Sequence, residues 1–320
     1  MNFVIRLLLI LAACTQLAHA QSPSAKPARI IVGFVAGGPS DLVARMVAQG
    51  LTERLGQQAI VENRPGATGL IGAEVVAKSP PDGHTLYLAS QTTHAVAPAM
   101  YAKVGYDPIR DFTTIVRVAH NPLLMVVHPS MPVRSFKDLV ALAKSRPGQI
   151  NFATGGNGSS PHMSMELIKS LVKIDMVPVH YKGDGAAIID VLGGHVQLFN
   201  ASIGTLLPHA RSGKMRGVAV TSLKRSAMAS EFPTLHESGL ENFEVLTWFG
   251  ILGPAGMPRE AVNRLNAEIL KIVAQPAIRE QLLKMGFEIV PNTPDEYAAF
   301  LKNEHARWGK VVKDLGLKAE

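Results

Sequence analysis

Cysteine is almost absent from this chain. Its 320 residues include one, Cys14. Cys14 falls in an N-terminal stretch with the pattern of a removable leader, so the mature chain is expected to have none. A cysteine-free chain has no disulfides, no thiolate metal site and no cysteine nucleophile. Its stability must come from a buried core, which 47% hydrophobic residues can supply. Charge is also sparse, at 18%, which argues against a disordered or coiled-coil chain. No apolar run reaches the roughly 20 residues that a spanning helix needs.

Several catalytic patterns are missing too. No Gly-x-Ser-x-Gly elbow is present. None of the eleven histidines forms a His-x-x-x-His pair, so zinc-type spacing is absent. Gly33 and Gly38 have the spacing of a phosphate loop, but Pro39 stands where its lysine would be. No Gly-x-Gly-x-x-Gly sits at a strand-to-helix junction, which disfavours a dinucleotide. Ser170 and Lys173 form a Ser-x-x-Lys pair on an ordinary amphipathic helix, expected at the surface. No cofactor or metal is expected.

The first twenty residues differ from the rest. Arg6 is their only charge, Leu7–Ala13 is a short apolar run, and Ala18-His19-Ala20 is a small-x-small cleavage pattern. Residues 1–20 therefore read as a secretory signal peptide, with the mature chain starting near Gln21 in the periplasm. Leu11-Ala12-Ala13-Cys14 also resembles a lipoprotein box, which would anchor the protein through Cys14. The formal net charge is +7, of which Arg6 supplies one. The densest basic group, Lys214, Arg216, Lys224 and Arg225, has no interleaved aromatics, unlike a nucleic-acid footprint. Either the diffuse positive field favours approach of anionic solutes, or it is ordinary solubility charge.

Strand and helix patterns then alternate. Arg29–Phe34 is an apolar, β-branched strand, and from Pro39 to Leu55 apolar residues fall at helical spacing. A strand at 59–62, a helix to about Lys78 and a strand at 85–89 complete β-α-β-α-β, the mark of a parallel sheet with helices on its faces. The pattern restarts with strands at 123–127, 150–153, 177–181, 196–199 and 217–221, and helices opening at Ser135 and near His162. A strand at 246–252 leads into a helical C-terminal segment. There Thr293-Pro294-Asp295-Glu296 spells a capping box. Two α/β units without a flexible linker suggest a hinged clamshell.

Two glycine-rich turns follow strands and open helices: Ala36-Gly37-Gly38-Pro39-Ser40-Asp41 and Thr154 to His162. Such turns offer free backbone N–H groups and the positive end of a helix dipole, which suit an anion. Ser40, Thr154, Asn157, Ser159 and Ser160 add neutral hydrogen-bonding groups, and neither turn has Lys or Arg. The alternative is that both are simply tight, capped turns. Asp41 either meets a ligand ammonium or hydroxyl, or caps local N–H groups. His162 and His94 either line the cleft or pack structurally, and His84 fits a structural turn.

In their order, these pieces resemble the Bug-type solute receptors of tripartite tricarboxylate transporters. The match runs through Arg29-Ile30-Ile31-Val32, Gly37-Gly38-Pro39-Ser40-Asp41, Glu62-Asn63-Arg64-Pro65-Gly66-Ala67, Ser79-Pro80-Pro81-Asp82-Gly83-His84-Thr85-Leu86, Ala153–Ser159, Tyr181-Lys182-Gly183, Gly193-Gly194 and Trp248. The resemblance implies an α/β, two-domain periplasmic-binding-protein (type II, Venus flytrap) fold without catalysis. Domain 1 would comprise residues 27–123 with 247–320, and domain 2 residues 124–246. A small carboxylate (a di- or tricarboxylate, acidic amino acid or aromatic acid) would sit between them and pass to the transporter's membrane subunits. The first-domain contacts it implies are Phe34, Ala36, Gly37, Gly38, Ser40, Asp41, Ser90 and Gln91. The second-domain contacts are Thr154, Gly155, Asn157, Gly158, Ser159, His162, Asn200, Ala201 and Ser202. One departure stands out: Gly33 precedes Phe34 where the family usually has proline, which suggests a looser turn. A monomer is the default expectation, with no nucleic-acid partner. A sensor that presents its closed form to a membrane partner, or a secreted hydrolase, would use the same cleft.

Overall fold

The computed structural model describes residues 26–319. The expected leader and Cys14 lie outside the described residues. Among those described, no helix is long and apolar enough to cross a membrane.

The first unit is built as its pattern dictates. Strand β1 (Ala28–Val32) pairs in parallel with β2 (Ala59–Asn63) and with β3 (Thr85–Ser90). Helix α1 (Pro39–Leu55) and helix α2 (Leu70–Ala77) are the crossovers between them. All six residues of β3 are buried, as expected for a strand covered on both faces. A π-helical turn (Thr92–Val96) and a short helix α3 (Ala97–Met100) follow it.

Strand β4 (Phe112–Val127) is much longer than the expected 123–127. Pro122 hides its first part, because a proline normally marks a strand's end or edge. Here Pro122 sits inside the strand, paired in register with Leu246 of β9 (Leu246–Pro254). Residues 112–122 of β4 pair with β9. Residues 123–127 pair instead with β7 (Leu198–Ser202) and β8 (Arg216–Val220). One strand thus runs from the first unit into the second, with β9 beside it on the return. Thr221 ties this crossing together. Its Oγ1 accepts from Leu123 N at 2.8 Å and donates to Val245 O at 2.6 Å.

The second unit contains α4 (Phe136–Ser145), β5 (Asn151–Thr154), α5 (Ser160–Val172), β6 (Val177–His180), α6 (Asp184–Leu192), β7, α7 (Ile203–Arg211) and β8. Strand β5 pairs in parallel with both β6 and β7. The resulting sheet runs β2-β1-β3-β9-β4-β7-β5-β6, with β8 and β10 (Glu288–Ile289) also pairing with β4. The C-terminal helices α8 (Arg259–Val273), α9 (Pro276–Lys284) and α10 (Pro294–Asp314) return to the first unit. Ile272 of α8 packs directly over Gly50 of α1, leaving no room for a side chain there. The capping box forms as spelled: Glu296 N donates to Thr293 Oγ1 at 3.2 Å, and Thr293 N to Glu296 Oε2 at 2.7 Å. Trp248 and Trp308, both fully buried, donate their indole N–H groups to Glu304 Oε2 at 3.0 and 3.1 Å.

Candidate functional site

The turns after β1, β5, β6 and β7 converge on a cavity of about 240 Å³. The N-termini of four helices face it. Gly38, Pro39 and Ser40 come from α1, Ser159, Ser160 and Pro161 from α5, Asp184 from α6, and Ser202 from α7. At the starts of α1, α6 and α7 no side chain caps the helix. Their free N–H groups and positive dipole ends are left for whatever enters. Apolar walls come from Phe34, Val35, Leu123, Phe249 and Phe287, and polar groups from Ser90, Thr92, Asn121 and Thr247. An adjoining cavity of about 370 Å³ shares Phe34, Thr92 and Ser159 and adds Thr68, Met100, Tyr101, Gly155, Asn157 and Ala319. Neither lining includes Lys or Arg.

Of the seventeen contacts the resemblance implies, Phe34, Gly38, Ser40, Ser90, Gly155, Asn157, Ser159 and Ser202 line this cleft. The rest stand behind or beside it. Ala36 and Gly37 form the exposed tip of the first turn, where Gly37 has φ 88°. Asp41 is buried, and both its oxygens are engaged. Oδ2 accepts from Gly37 N at 3.0 Å and from Arg45 Nε at 2.8 Å, and Oδ1 accepts from Asn63 Nδ2 at 3.0 Å. Burial works to raise its pKa, but these bonds outweigh burial and hold the carboxyl below its ordinary value. Asp41 thus pins the turn to α1 and β2 rather than opening into the cavity. Asp41→Ala is expected to lower stability by about 2 kcal/mol, since it leaves buried donors unpaired. The midpoint should fall by about 3 °C for a chain of this size, measured by calorimetry. An unchanged midpoint would mean the turn is held by other contacts.

Gly33 turns out to be packed rather than loose. A Cβ there would lie 2.5 Å from Tyr87 Oη and 2.6 Å from Gly69 Cα. Tyr87 Oη in turn donates to Gly69 O at 3.0 Å. The two glycine backbones pass too close for any side chain.

The second turn is stitched internally. Thr154 Oγ1 accepts from Gly156 N at 3.2 Å and lies 2.7 Å from His180 Nδ1. Ser159 Oγ donates to Gly156 O at 2.7 Å and accepts from His162 N. His162 is buried, and its Nδ1 accepts the Gly158 N–H at 3.1 Å. Burial, with His180 and Lys169 nearby, lowers its pKa to about 4, so the ring is neutral. Gly158 packs against Met100 of the first unit, and Asn157 Nδ2 donates to Lys318 O at 3.2 Å. Asn200 is buried, donates to Ser164 Oγ at 2.8 Å and leaves its Oδ1 without a partner. Gln91 is buried with both amide atoms unpartnered. Ala201 belongs to the core. His94 is buried among Tyr87, Tyr106 and Phe112.

Residues 43–317 match the model of the tripartite tricarboxylate transporter family receptor. The chain belongs to this family. Protein BugT of Bordetella pertussis is 35% identical over 92% of this chain and 90% of its own length. Among solved structures, the R. palustris protein Rpa4515, determined with adipate, superposes with a TM-score of 0.82. It is 33% identical over 93% of this chain and 99% of its own. MatC from Rhodopseudomonas palustris, determined with bound malate, gives a TM-score of 0.79 at 30% identity, over 90% of this chain and 99% of its own. The chain is thus a two-domain solute-binding receptor of the periplasmic-binding-protein type.

Several lining residues were not read from the sequence: Val35, Thr68, Thr92, Asn121, Asp184, Thr247, Phe249 and Phe287. Asp184 had a usable signal, since Tyr181-Lys182-Gly183 ends a strand and opens a helix like the two turns that were recognised. Asn121 and Thr247 had none. They face the cavity because β4 and β9 pair there, Asn121 opposite Thr247.

Proposed function

We propose that this receptor captures a small organic carboxylate in the cleft and delivers it to the membrane subunits of a tripartite tricarboxylate transporter. The observation that carries this is the convergence of four helix N-termini on one cavity with no lysine or arginine in its lining. Oriented N–H groups and dipoles favour negative charge there without the desolvation cost of burying a fixed cation. The relatives solved with adipate and malate support a carboxylate. The two lobes would be residues 27–123 with 247–320, and residues 124–246. They would hinge where β4 and β9 cross, and a ligand touching both would favour the closed state. The receptor acts as a monomer in the periplasm, exported by residues 1–20, without cofactor or catalysis.

The test is a thermal-shift panel on refolded, ligand-free protein with dicarboxylates, tricarboxylates, amino acids, aromatic acids and neutral amides. A true ligand at ~100 times its dissociation constant adds about 2.7 kcal/mol, a rise of several degrees. Shifts with amides alone, and with no acid, would overturn the carboxylate reading.

A further inference from the structure

Among the described residues, Asp184 is the one charged side chain lining either cavity. It is the first residue of α6, reached through Gly183, whose φ of 103° only glycine adopts comfortably. Its Oδ1 sits 2.6 Å from where a Cβ on Gly155 would be, so the carboxylate lies directly on the bare backbone of the glycine turn. Burial alone sets its titration, and it raises the pKa to about 6. No hydrogen bond or neighbouring cation offsets it. Among the described residues, every other carboxylate that departs from its ordinary value is lowered by bonds from named partners, such as Asp41 with Gly37, Arg45 and Asn63. Asp184 therefore differs in kind: it is a carboxylate in a cleft, with its partner still to arrive. The side chain is partly buried, and a charge partly withdrawn from water without a partner is costly. In an otherwise uncharged cavity, an entering ligand is what can supply one.

We propose that Asp184 is a specificity-determining residue that pairs with an ammonium group on the ligand. The inference rests on the carboxylate reading above and narrows it. The ligand's carboxylate takes the uncapped N-termini of α1 and α7, its ammonium takes Asp184, and its apolar part lies against Phe249, Phe287 and Leu123. The expected ligand class is a zwitterionic amino acid with an apolar side chain. A plain dicarboxylate would bring a second negative charge toward Asp184.

The experiment is isothermal titration of the refolded, ligand-free receptor at pH 7.5 with pairs differing only in the ammonium. Suitable pairs are phenylalanine with 3-phenylpropanoate, and leucine with 4-methylpentanoate, with adipate and phenethylamine added. The amino acid should bind at least about 30-fold more tightly than its deaminated partner, the scale for losing one member of a buried charge pair. Asp184→Asn should erase that ratio by weakening the amino acid alone, with its circular dichroism unchanged. If adipate or the deaminated acids bind wild type as well as the amino acids do, the inference is overturned and Asp184 serves only its own helix dipole. The same holds if Asp184→Asn leaves the ratio intact. Binding of phenethylamine but of no acid would overturn the carboxylate reading while leaving the ammonium contact standing. No binding by any probe overturns both.

Discussion

Between pH 7 and pH 4.5 the receptor is expected to lose most of its stability, beginning near pH 6.5 rather than in the carboxylate range. Two buried histidines, His94 and His162, and one partly buried, His120, cause it. Burial, with His305 nearby, lowers His94 to about 3, burial and Arg117 lower His120 to about 4, and burial with His180 and Lys169 lowers His162 to about 4. In the unfolded chain each would titrate near 6.5. Below that pH the unfolded state binds protons that the native state refuses, so stability falls as pH drops. At about 1.4 kcal/mol per pH unit, each contributes roughly 2–3 kcal/mol by pH 4.5. Asp184 works the other way: with its pKa raised to about 6 it favours the folded state as pH falls and offsets roughly 2 kcal/mol. The net loss is still comparable to the stability of an ordinary domain, about 5–15 kcal/mol. The loss also reaches the cleft, because a protonated His162 could no longer accept the Gly158 N–H that shapes the second turn. Urea unfolding at pH 7.5, 6, 5 and 4.5 measures it. His94→Phe should flatten the curve by about one third. Equal stability at pH 7.5 and 5 would show that these rings take protons without cost.

The pattern of the first unit was legible because local chemistry and tertiary context agree there. Apolar residues at helical spacing and Pro39 at the start set α1 from Pro39 to Leu55, the bounds the helix has. Thr293 and Glu296 spelled the start of α10 in the same way. Reading failed where context overrode a local signal. Only 123–127 of β4 was read as strand, because Pro122 precedes it, yet Pro122 lies at the register where β4 passes between the units. Pro208 sits within α7, and Gly183-Asp184-Gly185 obscures the start of α6. Those two helices went unread, although both present their N-termini to the cleft.

The site was legible as turns and much less so as side chains. Glycines at strand-to-helix junctions mark where a backbone can approach a ligand, and both recognised turns reach the cavity. Which residues of a turn face inward depends on bonds that the sequence does not spell. Asp41 turns away because Gly37, Arg45 and Asn63 occupy its oxygens. Asn63 is 22 residues away, and only the parallel pairing of β1 with β2 brings it there. Asp184 faces inward because no such partners surround it. Phe249 and Phe287 come from the C-terminal third and reach the cavity only once that segment has folded back onto the first unit.

Gly204→Ala and Gly286→Ala should each disable the receptor, through the floor of the cleft rather than its walls. Gly204 is in the first turn of α7, and Gly286 lies between α9 and β10. Their backbones touch across the boundary between the units. A Cβ on Gly204 would run into the Met285 carbonyl and lie 2.7 Å from Gly286 N. One on Gly286 would lie 2.6 Å from Gly204 N. The obstacles are backbone atoms, so no rotamer change relieves them, and the two segments must separate. Gly286 also has φ 86°, where a side chain adds roughly 1–2 kcal/mol of strain. With overpacking at 1–3 kcal/mol, Gly286→Ala should cost about 4 kcal/mol and Gly204→Ala about 2–3 kcal/mol. The melting midpoint should then fall by about 7 °C and 4 °C respectively. Binding should suffer as well, because Ser202 and Phe287 flank these glycines and both line the cavity. Forcing the glycines apart moves one lining residue from each unit outward, and affinity should fall even for protein that remains folded at the assay temperature. Titration of Gly204→Ala with the best ligand from the panel, alongside its melting curve, separates the two effects. A lowered midpoint with unchanged affinity would place the contact in the scaffold alone, and no change in either would mean that the two backbones do not meet this closely.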